Sequence, residues 1–364
     1  MENIQKTEPF FSIVMPVYNA ERFLGGMLKG ILEQTFTDWE LIAVDDCSKD
    51  KSREILAEAA ERDGRIRLVR LKENSGVSAA RNRGIEEARG TYLWFADADD
   101  SVDSNLLEEV HRTLQGNPAK LVIFGLIEEY YNAVGDFQYS RVVSHPQKLF
   151  HTKEELRREM IYLERETLYG YPWNKVYELE YLKKKGITFS DYKNAKFIED
   201  IKFNISFCME IDTMNIMEFC PYHYAKRVEN NLTNEFARDY FKFHRKRIEL
   251  LLGQYRRWGL CTEEVKEILG SLYGRYILSA LERNCDQRSG MKTTQRFYWC
   301  RRLFKQELFR ELIPAAKAEE SRTLAAALKV LRRKNGFLCL LMGRGIYIIR
   351  KSLPVIYSKV KSGR

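Results

Sequence analysis

The chain lacks several features that would send its reading elsewhere. It has no apolar run of the roughly 20 residues that a membrane-spanning helix needs. The longest, Gly336 to Ile349, is interrupted by Arg344. Residues Met1 to Pro9 are polar and carry Glu2 and Glu8, so they do not read as a signal peptide. The seven cysteines (Cys47, Cys208, Cys220, Cys261, Cys285, Cys300, Cys339) are odd in number and scattered, with no Cys-x-x-Cys pair. That pattern indicates neither a zinc site nor a disulfide framework, and it suits a reducing cytoplasm. The sequons Asn204-Ile-Ser206 and Asn231-Leu-Thr233 would matter only in a secreted chain. No Gly-x-x-x-x-Gly-Lys-Ser/Thr stretch is present, which argues against an enzyme built around a phosphate loop. Internal repeats and low-complexity tracts are also missing.

What is there is ordinary globular material with an uneven charge. The 364 residues and a hydrophobic fraction of 45% provide for two or three units with a sizeable core. Residues 288–364 hold 19 Lys and Arg against four Glu and no Asp, so this stretch carries +15 of a net +9 and the remainder is acidic. Such an asymmetry points to a polyanionic surface, membrane or nucleic acid. No helix-turn-helix, RNA-recognition or zinc-finger signature accompanies the charge, so no nucleic-acid partner is expected.

The first hundred residues alternate strand and helix. Phe10 to Met15, Glu40 to Val44, Arg65 to Leu71 and Thr91 to Phe95 read as strands; Ala20 to Glu33, Ser52 to Arg62 and Val77 to Ala88 read as helices. This alternation predicts a mostly parallel sheet flanked by helices, in which ligands bind beyond the carboxyl ends of the strands. Each predicted strand ends in a polar cluster: Pro16-Val17-Tyr18-Asn19, Asp45-Asp46, Lys72-Glu73-Asn74 and Asp97-Ala98-Asp99-Asp100. From Leu121 to Val228 the chain is mixed and rich in aromatics. Beyond Asn234 it is helical by pattern, with helices over Phe236 to Arg257, Glu263 to Arg283 and Thr294 to Leu312. Ser321 is placed to cap a final amphipathic helix with Leu324, Leu328 and Leu331 on one face.

Asp97-Ala98-Asp99 is the sharpest chemical feature. Adjacent carboxylates at a strand end repel unless neutralised, and a hard divalent cation shared with substrate phosphates would do so. An acidic turn capping the next helix is the competing explanation. Glu199-Asp200 opens a helix, where acidic residues also serve as dipole partners. Arg81 reads either as a solvated helix residue or as a cation for the site, and Asn74 as a turn residue before Gly76. Trp173 is either core or a platform for stacking a sugar, while His223 reads as a packed, hydrogen-bonded residue.

Taken in order, Pro16-Val-Tyr-Asn19, Val44-Asp-Asp-Cys-Ser-Lys-Asp50, Asn74-Ser-Gly-Val-Ser-Ala-Ala-Arg-Asn-Arg-Gly84 and Asp97-Ala-Asp99 resemble the family 2 glycosyltransferases, an inverting group with the GT-A fold. The resemblance implies a GT-A domain over residues 10–230, with a nucleotide-binding half (10–115) and an acceptor half (116–230). A nine-residue tail precedes it, and a helical basic region (231–364) follows. By the same resemblance, Pro16, Val17, Tyr18, Asn19, Asp45 and Asp46 hold the nucleotide base, closed over by Asn74 and Arg81. Asp97 and Ala98 lie at the ribose, and Asp99 ligates Mn²⁺ or Mg²⁺. Asp200 acts as the base toward the acceptor hydroxyl, with Glu199 beside it. Trp173, Lys175, His223 and Arg227 line the acceptor side or a lid. Cys47 departs from the family, which usually has Gly there.

The implied reaction is transfer of a sugar from a UDP-sugar to a hydroxyl of a growing, lipid-linked cell-surface glycan. It would take place in the cytoplasm, at the inner face of the cell membrane. Residues 321–364, basic and partly apolar, fit a peripheral membrane contact, or else a helical domain that packs these patches internally. A different class of reading is a non-catalytic nucleotide-sugar-binding scaffold of a polysaccharide assembly complex.

Overall fold

The computed structural model describes residues 8–132, 134–191, 198–227, 236, 239–318 and 321–352. Most of the expected N-terminal tail, Phe197, the expected 230/231 boundary and residues 353–364 lie outside them. The chain divides into two compact units, Met1–Asn234 and Glu235–Arg364.

The first unit begins with β1 (Phe11–Val17), α1 (Leu24–Leu32), β2 (Trp39–Asp45), α2 (Ser52–Arg62), β3 (Ile66–Arg70), α3 (Val77–Glu87) and β4 (Tyr92–Phe95). Then come β5 (Ser101–Val102), α4 (Leu106–Gly116), β6 (Leu121–Tyr131), β7 (Phe137–Val143), β8 (Lys148–Phe150), α5 (Lys153–Arg165), β9 (Lys175–Glu178) and α6 (Leu179–Lys184). Last are α7 (Glu199–Cys208) and β10 (Met214–Lys226). The expected αβ alternation is present, with boundaries shifted by a few residues. The largest shift is at α1, which starts at Leu24 because Ala20 to Phe23 form a turn.

One sheet runs in the order β3-β2-β1-β4-β9-β6-β10-β5, with β7 on β6 and β8 on β10. The first four strands are parallel, and β9 joins β4 antiparallel. Strand order reverses between β1 and β4, so their carboxyl ends bound a crevice suited to a ligand. Pro16 contributes to that opening. β1 stays paired with β2 as far as Val17–Asp45, but its ladder with β4 ends at Val14–Phe95. The proline nitrogen, which can donate nothing, falls on the side where the ladder has already parted.

Helix α3 lies directly on β1 and must come close. A Cβ added at Gly84 would overlap the Cγ1 of Val14. Below it a buried polar knot ties the helix end to the sheet. The Glu40 carboxylate accepts from Ser12 Oγ at 2.8 Å, from Arg89 N at 2.9 Å and from Arg89 Nη2 at 2.8 Å. Burial would raise the Glu40 pKa, but these bonds and the nearby Arg67 charge outweigh it and hold it low.

The second unit is helical: α8 (Tyr240–Trp258), α9 (Glu263–Asn284), α10 (Thr293–Lys305), α11 (Glu307–Ala315), α12 (Arg322–Arg332) and α13 (Gly336–Ser352). The helix expected over Thr294 to Leu312 is two, parted at Gln306, whose extended backbone (φ −67°, ψ 138°) ends α10 and starts α11. Ser321 caps α12, its Oγ accepting from Leu324 N. Leu324, Leu328 and Leu331 are all buried, and a Cβ on Gly274 of α9 would stand 2.9 Å from Leu328 Cδ2. The stripe that the sequence offers as a membrane face on this helix is therefore core. No helix among the described residues is long and apolar enough to cross a membrane.

Overpacking at the α3–β1 contact should be costly. We expect Gly84→Ala to lower stability by about 1–3 kcal/mol, read as a reduced midpoint of urea unfolding.

Candidate active site

The site is built from the polar clusters at the carboxyl ends of β1 to β4. After β1 and β2 the two loops are laced together: Asn19 N donates to Ser48 Oγ at 3.1 Å, and Lys49 N donates to Asn19 Oδ1 at 2.8 Å. Asp45 ends β2 buried, with its Oδ1 accepting from Ser48 N at 3.0 Å. Asn19 and Cys47 both sit in the left-handed region, with φ of 50° and 63°. Asn tolerates that conformation, whereas Cys is strained there, which gives a physical reason for glycine at this position in the resembled family. Asp46 turns to the next loop, accepting from Ser75 N at 2.7 Å and Gly76 N at 2.8 Å, while Asn74 Nδ2 donates to the Asp46 carbonyl at 3.3 Å. Val17 is buried, and Tyr18 and Asn19 are exposed at the rim beside the half-buried Pro16.

Arg81, on the second turn of α3, is 4% exposed and points inward. Its Nη2 donates to Asp97 Oδ1 at 2.9 Å and its Nη1 to Asp200 Oδ1 at 2.7 Å. Burial alone would lower its pKa, but Asp200 and Asp97 reverse the effect and keep the guanidinium charged. One cation thus joins the end of β4 to the first turn of α7. Next to it, Glu199 has a buried Oε2 with no hydrogen-bond partner among the described residues. Burial, then the adjacent Asp200 charge, pushes the Glu199 pKa up to about 7.

The acidic turn after β4 separates its carboxylates by role. Asp100 is buried, its Oδ2 accepting from Tyr222 Oη at 2.8 Å and its Oδ1 from Ala225 N at 2.9 Å. Burial raises its pKa well above the usual carboxylate range, with the Asp99 and Asp97 charges adding to it. Tyr222 Oη also accepts from Asp97 N at 3.2 Å, so this one hydroxyl braces both ends of the turn. Ala98 is buried between them. Asp99 keeps 59% of its side chain accessible, with Arg227 Nη1 at 3.8 Å from its Oδ2 and donating to its carbonyl at 2.7 Å. The surrounding protein mass, then the Asp97 charge, raises the Asp99 pKa, while Arg227 opposes them. Among the described residues no three His, Cys, Asp or Glu side chains converge as a metal cage. A single accessible carboxylate crowded by other anions fits a hard cation whose coordination is completed by phosphate and water oxygens.

The remaining candidates are placed differently. Trp173 is buried, stacked on Tyr222 (4.4 Å) and Tyr171 (4.8 Å), so it packs beneath the acidic turn and presents no open face. Lys175 is fully buried; its ammonium donates to the carbonyls of Leu168 (2.6 Å) and Tyr171 (2.7 Å) and to Asn174 Oδ1 (2.8 Å). Both residues are buried supports within the first unit. His223 bridges Glu129 (2.9 Å) and Asp103 (3.1 Å). Arg227 stands with its guanidinium 4.0 Å from the centre of the Phe23 ring, at the edge of the turn. The structure brings Arg81, Asp97, Asp200 and Glu199 together, with Asp99 and Arg227 beside them. Tyr222 was not legible from the sequence. Its signal, a tyrosine one residue before His223 in a polar strand end, is too common to single out.

Two outcomes follow from this packing. Arg81→Ala removes the cation shared by the half-buried Asp97 and Asp200 carboxylates and should cost about 3 kcal/mol, measured by chemical denaturation. The raised Glu199 pKa means that the folded chain holds a proton between about 4.5 and about 7 that the unfolded chain releases. Stability is therefore lost as pH rises through that window. Glu199→Gln removes the loss, so its Tm relative to the unmodified protein should be higher at pH 8 than at pH 5 by on the order of 2–4 °C.

With this geometry in view, the comparisons with known proteins agree among themselves. A family model described as glycosyl transferase family 2 matches residues 12–185. The chain is similar to an uncharacterized glycosyltransferase, EpsJ, of Bacillus subtilis (strain 168), at 30% identity over 71% of this chain and 74% of that protein. It also resembles the putative teichuronic acid biosynthesis glycosyltransferase TuaG of the same organism, at 41% identity over 28% of this chain and 40% of the other. Crystal structures of S. aureus TarS 1-349, one alone and one in complex with UDP-GlcNAc, each share 18% identity with TM-scores of 0.61, over 92% of this chain and 90% of theirs. That likeness speaks for the fold alone. Together with the αβ sheet and its carboxyl-edge site, these matches establish that the chain belongs to glycosyl transferase family 2 and is a glycosyltransferase.

Proposed function

We propose that the protein transfers a sugar from a UDP-sugar to a hydroxyl of a growing, lipid-linked cell-surface glycan, with inversion and with the help of Mn²⁺ or Mg²⁺. The observation that carries this reading is the single buried Arg81 guanidinium held between Asp97 and Asp200. A donor-side carboxylate and the proposed acceptor base thereby flank one point at the carboxyl edge of the sheet. The complexes of TarS with UDP and UDP-GlcNAc support the choice of donor class. The description of TuaG as a putative teichuronic acid biosynthesis glycosyltransferase supports the choice of glycan.

In this reading the loop Pro16–Asn19, Asp45, Asp46 and Asn74 surround the nucleotide base, and Asp97 with Ala98 faces the ribose. Asp99 would hold the divalent cation, which when bound neutralises charge on the departing diphosphate. Arg227, beside Asp99, adds a second positive charge on that side. Asp200 takes the proton from the acceptor hydroxyl on the face opposite the leaving group, giving inversion. Its bond to Arg81 orients the carboxylate. Glu199, carrying a proton below about pH 7, spares Asp200 a second adjacent negative charge. Trp173 and Lys175 support the acceptor wall from the core, and His223 ties the strand end beneath the proposed lid. The lipid-linked acceptor places the enzyme at the inner face of the cell membrane, with the basic residues of 321–364, rather than the buried leucines of α12, as its peripheral contact.

UDP release from a panel of UDP-sugars, with Mn²⁺ or with chelator, tests the proposal. Hydrolysis or transfer from one donor, abolished by chelator and by Asp99→Ala, is the expected result. Asp200→Asn should lower kcat by about 10²–10⁴-fold while UDP binding persists. Full activity of Asp200→Asn would remove that residue as the base. UDP bound without turnover on any acceptor would favour the scaffold reading instead.

A further inference from the structure

Helix α13 packs on the second unit by its small residues and leaves its large ones outside. On the inward side, a Cβ on Gly336 would stand 2.8 Å from Phe297 Cε2, one on Gly343 would stand 2.8 Å from the Leu281 carbonyl oxygen, and Cys339 between them is buried. The helix therefore lies close on α9 and α10. The opposite stripe carries Phe337 and Leu341, each 69% exposed, Arg344, then Ile348 and Lys351, all exposed. These positions (i, i+4, i+7, i+11, i+14) lie on one face of a helix. Tyr298 of α10 is exposed as well, and its neighbour Phe297 meets Phe337 at 4.9 Å between ring centroids.

We propose that this face of α13, with its basic margin, is a docking surface for an anionic lipid bilayer. Large apolar side chains gathered in water over three turns of a helix and rimmed by charge mark an interaction surface. The cover must accept positive charge, because Arg344 and Lys351 lie within the stripe and Arg333 and Lys334 are exposed at its start. Residues 321–364 contain eleven Lys and Arg and no Asp or Glu. Glu282, the nearby acid on α9, is buried and paired with Arg350 at 2.9 Å. A second copy of this face would bring like charges together. Lipid headgroups supply the opposite charge, the acyl boundary takes Phe337, Leu341 and Ile348, and the long cationic side chains reach up to phosphate. The inference deepens the peripheral-membrane part of the proposed function, moving its surface from α12, whose stripe is core, to α13.

The test is sedimentation of the full chain with vesicles of phosphatidylcholine alone or with about 30% phosphatidylglycerol. Two double variants, Phe337→Asp with Leu341→Asp and Arg344→Glu with Lys351→Glu, change exposed residues only. The unmodified chain should bind the anionic vesicles and not the neutral ones, and each double variant should bind at least about 10-fold more weakly. Equal binding by the variants, or none by the unmodified chain, would overturn the proposal. So would retention on an RNA homopolymer without vesicle binding, or a dimer that the apolar double variant dissociates while vesicles are ignored. Donor hydrolysis is read in the same samples. Its absence in the unmodified chain counts against the proposed chemistry of the first unit and leaves the vesicle result to stand by itself.

Discussion

A guanidinium removed from water must be neutralised where it lies, and in this protein that requirement organises the site. Arg81 is buried on α3 and meets Asp97, 16 residues away, and Asp200, 119 residues away. Neither contact forms unless α3 sits tightly on β1, and Gly84 permits that approach. Nor does it form unless the start of α7 is brought to the end of β4. The antiparallel β4–β9 pairing joins the two halves of the sheet between them. A buried ion pair contributes little net stability over an apolar substitute, but an unmatched one is strongly destabilising. The arrangement therefore specifies geometry more than it adds stability.

The same edge of the sheet carries more negative charge than one arginine offsets. Each carboxylate is handled by a different device. Asp46 is spent on loop amides, and Asp100 is locked by Tyr222 and the Ala225 amide. Glu199 has its pKa raised to about 7 by burial and by Asp200. Asp99 keeps an accessible side chain, its ionised form disfavoured by the surrounding protein and then by the Asp97 charge, and favoured by Arg227. A cation arriving with a diphosphate would complete this balance, which is the physical sense of the proposed metal role.

The helical unit shows how a sequence pattern can mislead about its own direction. Two apolar stripes follow Ser321, and both could face lipid or core. Gly274 on α9 accepts the Leu328 side chain, and so turns the α12 stripe inward. Gly336 and Gly343 bring α13 in by its thin side, leaving Phe337 and Leu341 outward. The partner surface, not the amphipathic pattern, chose which face to bury.

By itself the sequence determined the alternating strands and helices of the first hundred residues, the family, and the polar clusters that gather at one sheet edge. Those follow from local periodicity and from residues near one another in the chain. It also pointed to Asp97, Asp99, Asp200 and Arg81 separately. Only the tertiary structure decided that Arg81 joins Asp97 to Asp200, that Trp173 and Lys175 are buried supports, and that Tyr222 braces the acidic turn. It also decided which apolar stripe of the helical unit meets solvent. Such contacts depend on which element packs on which, at separations of up to 125 residues, and periodicity carries no information about that packing.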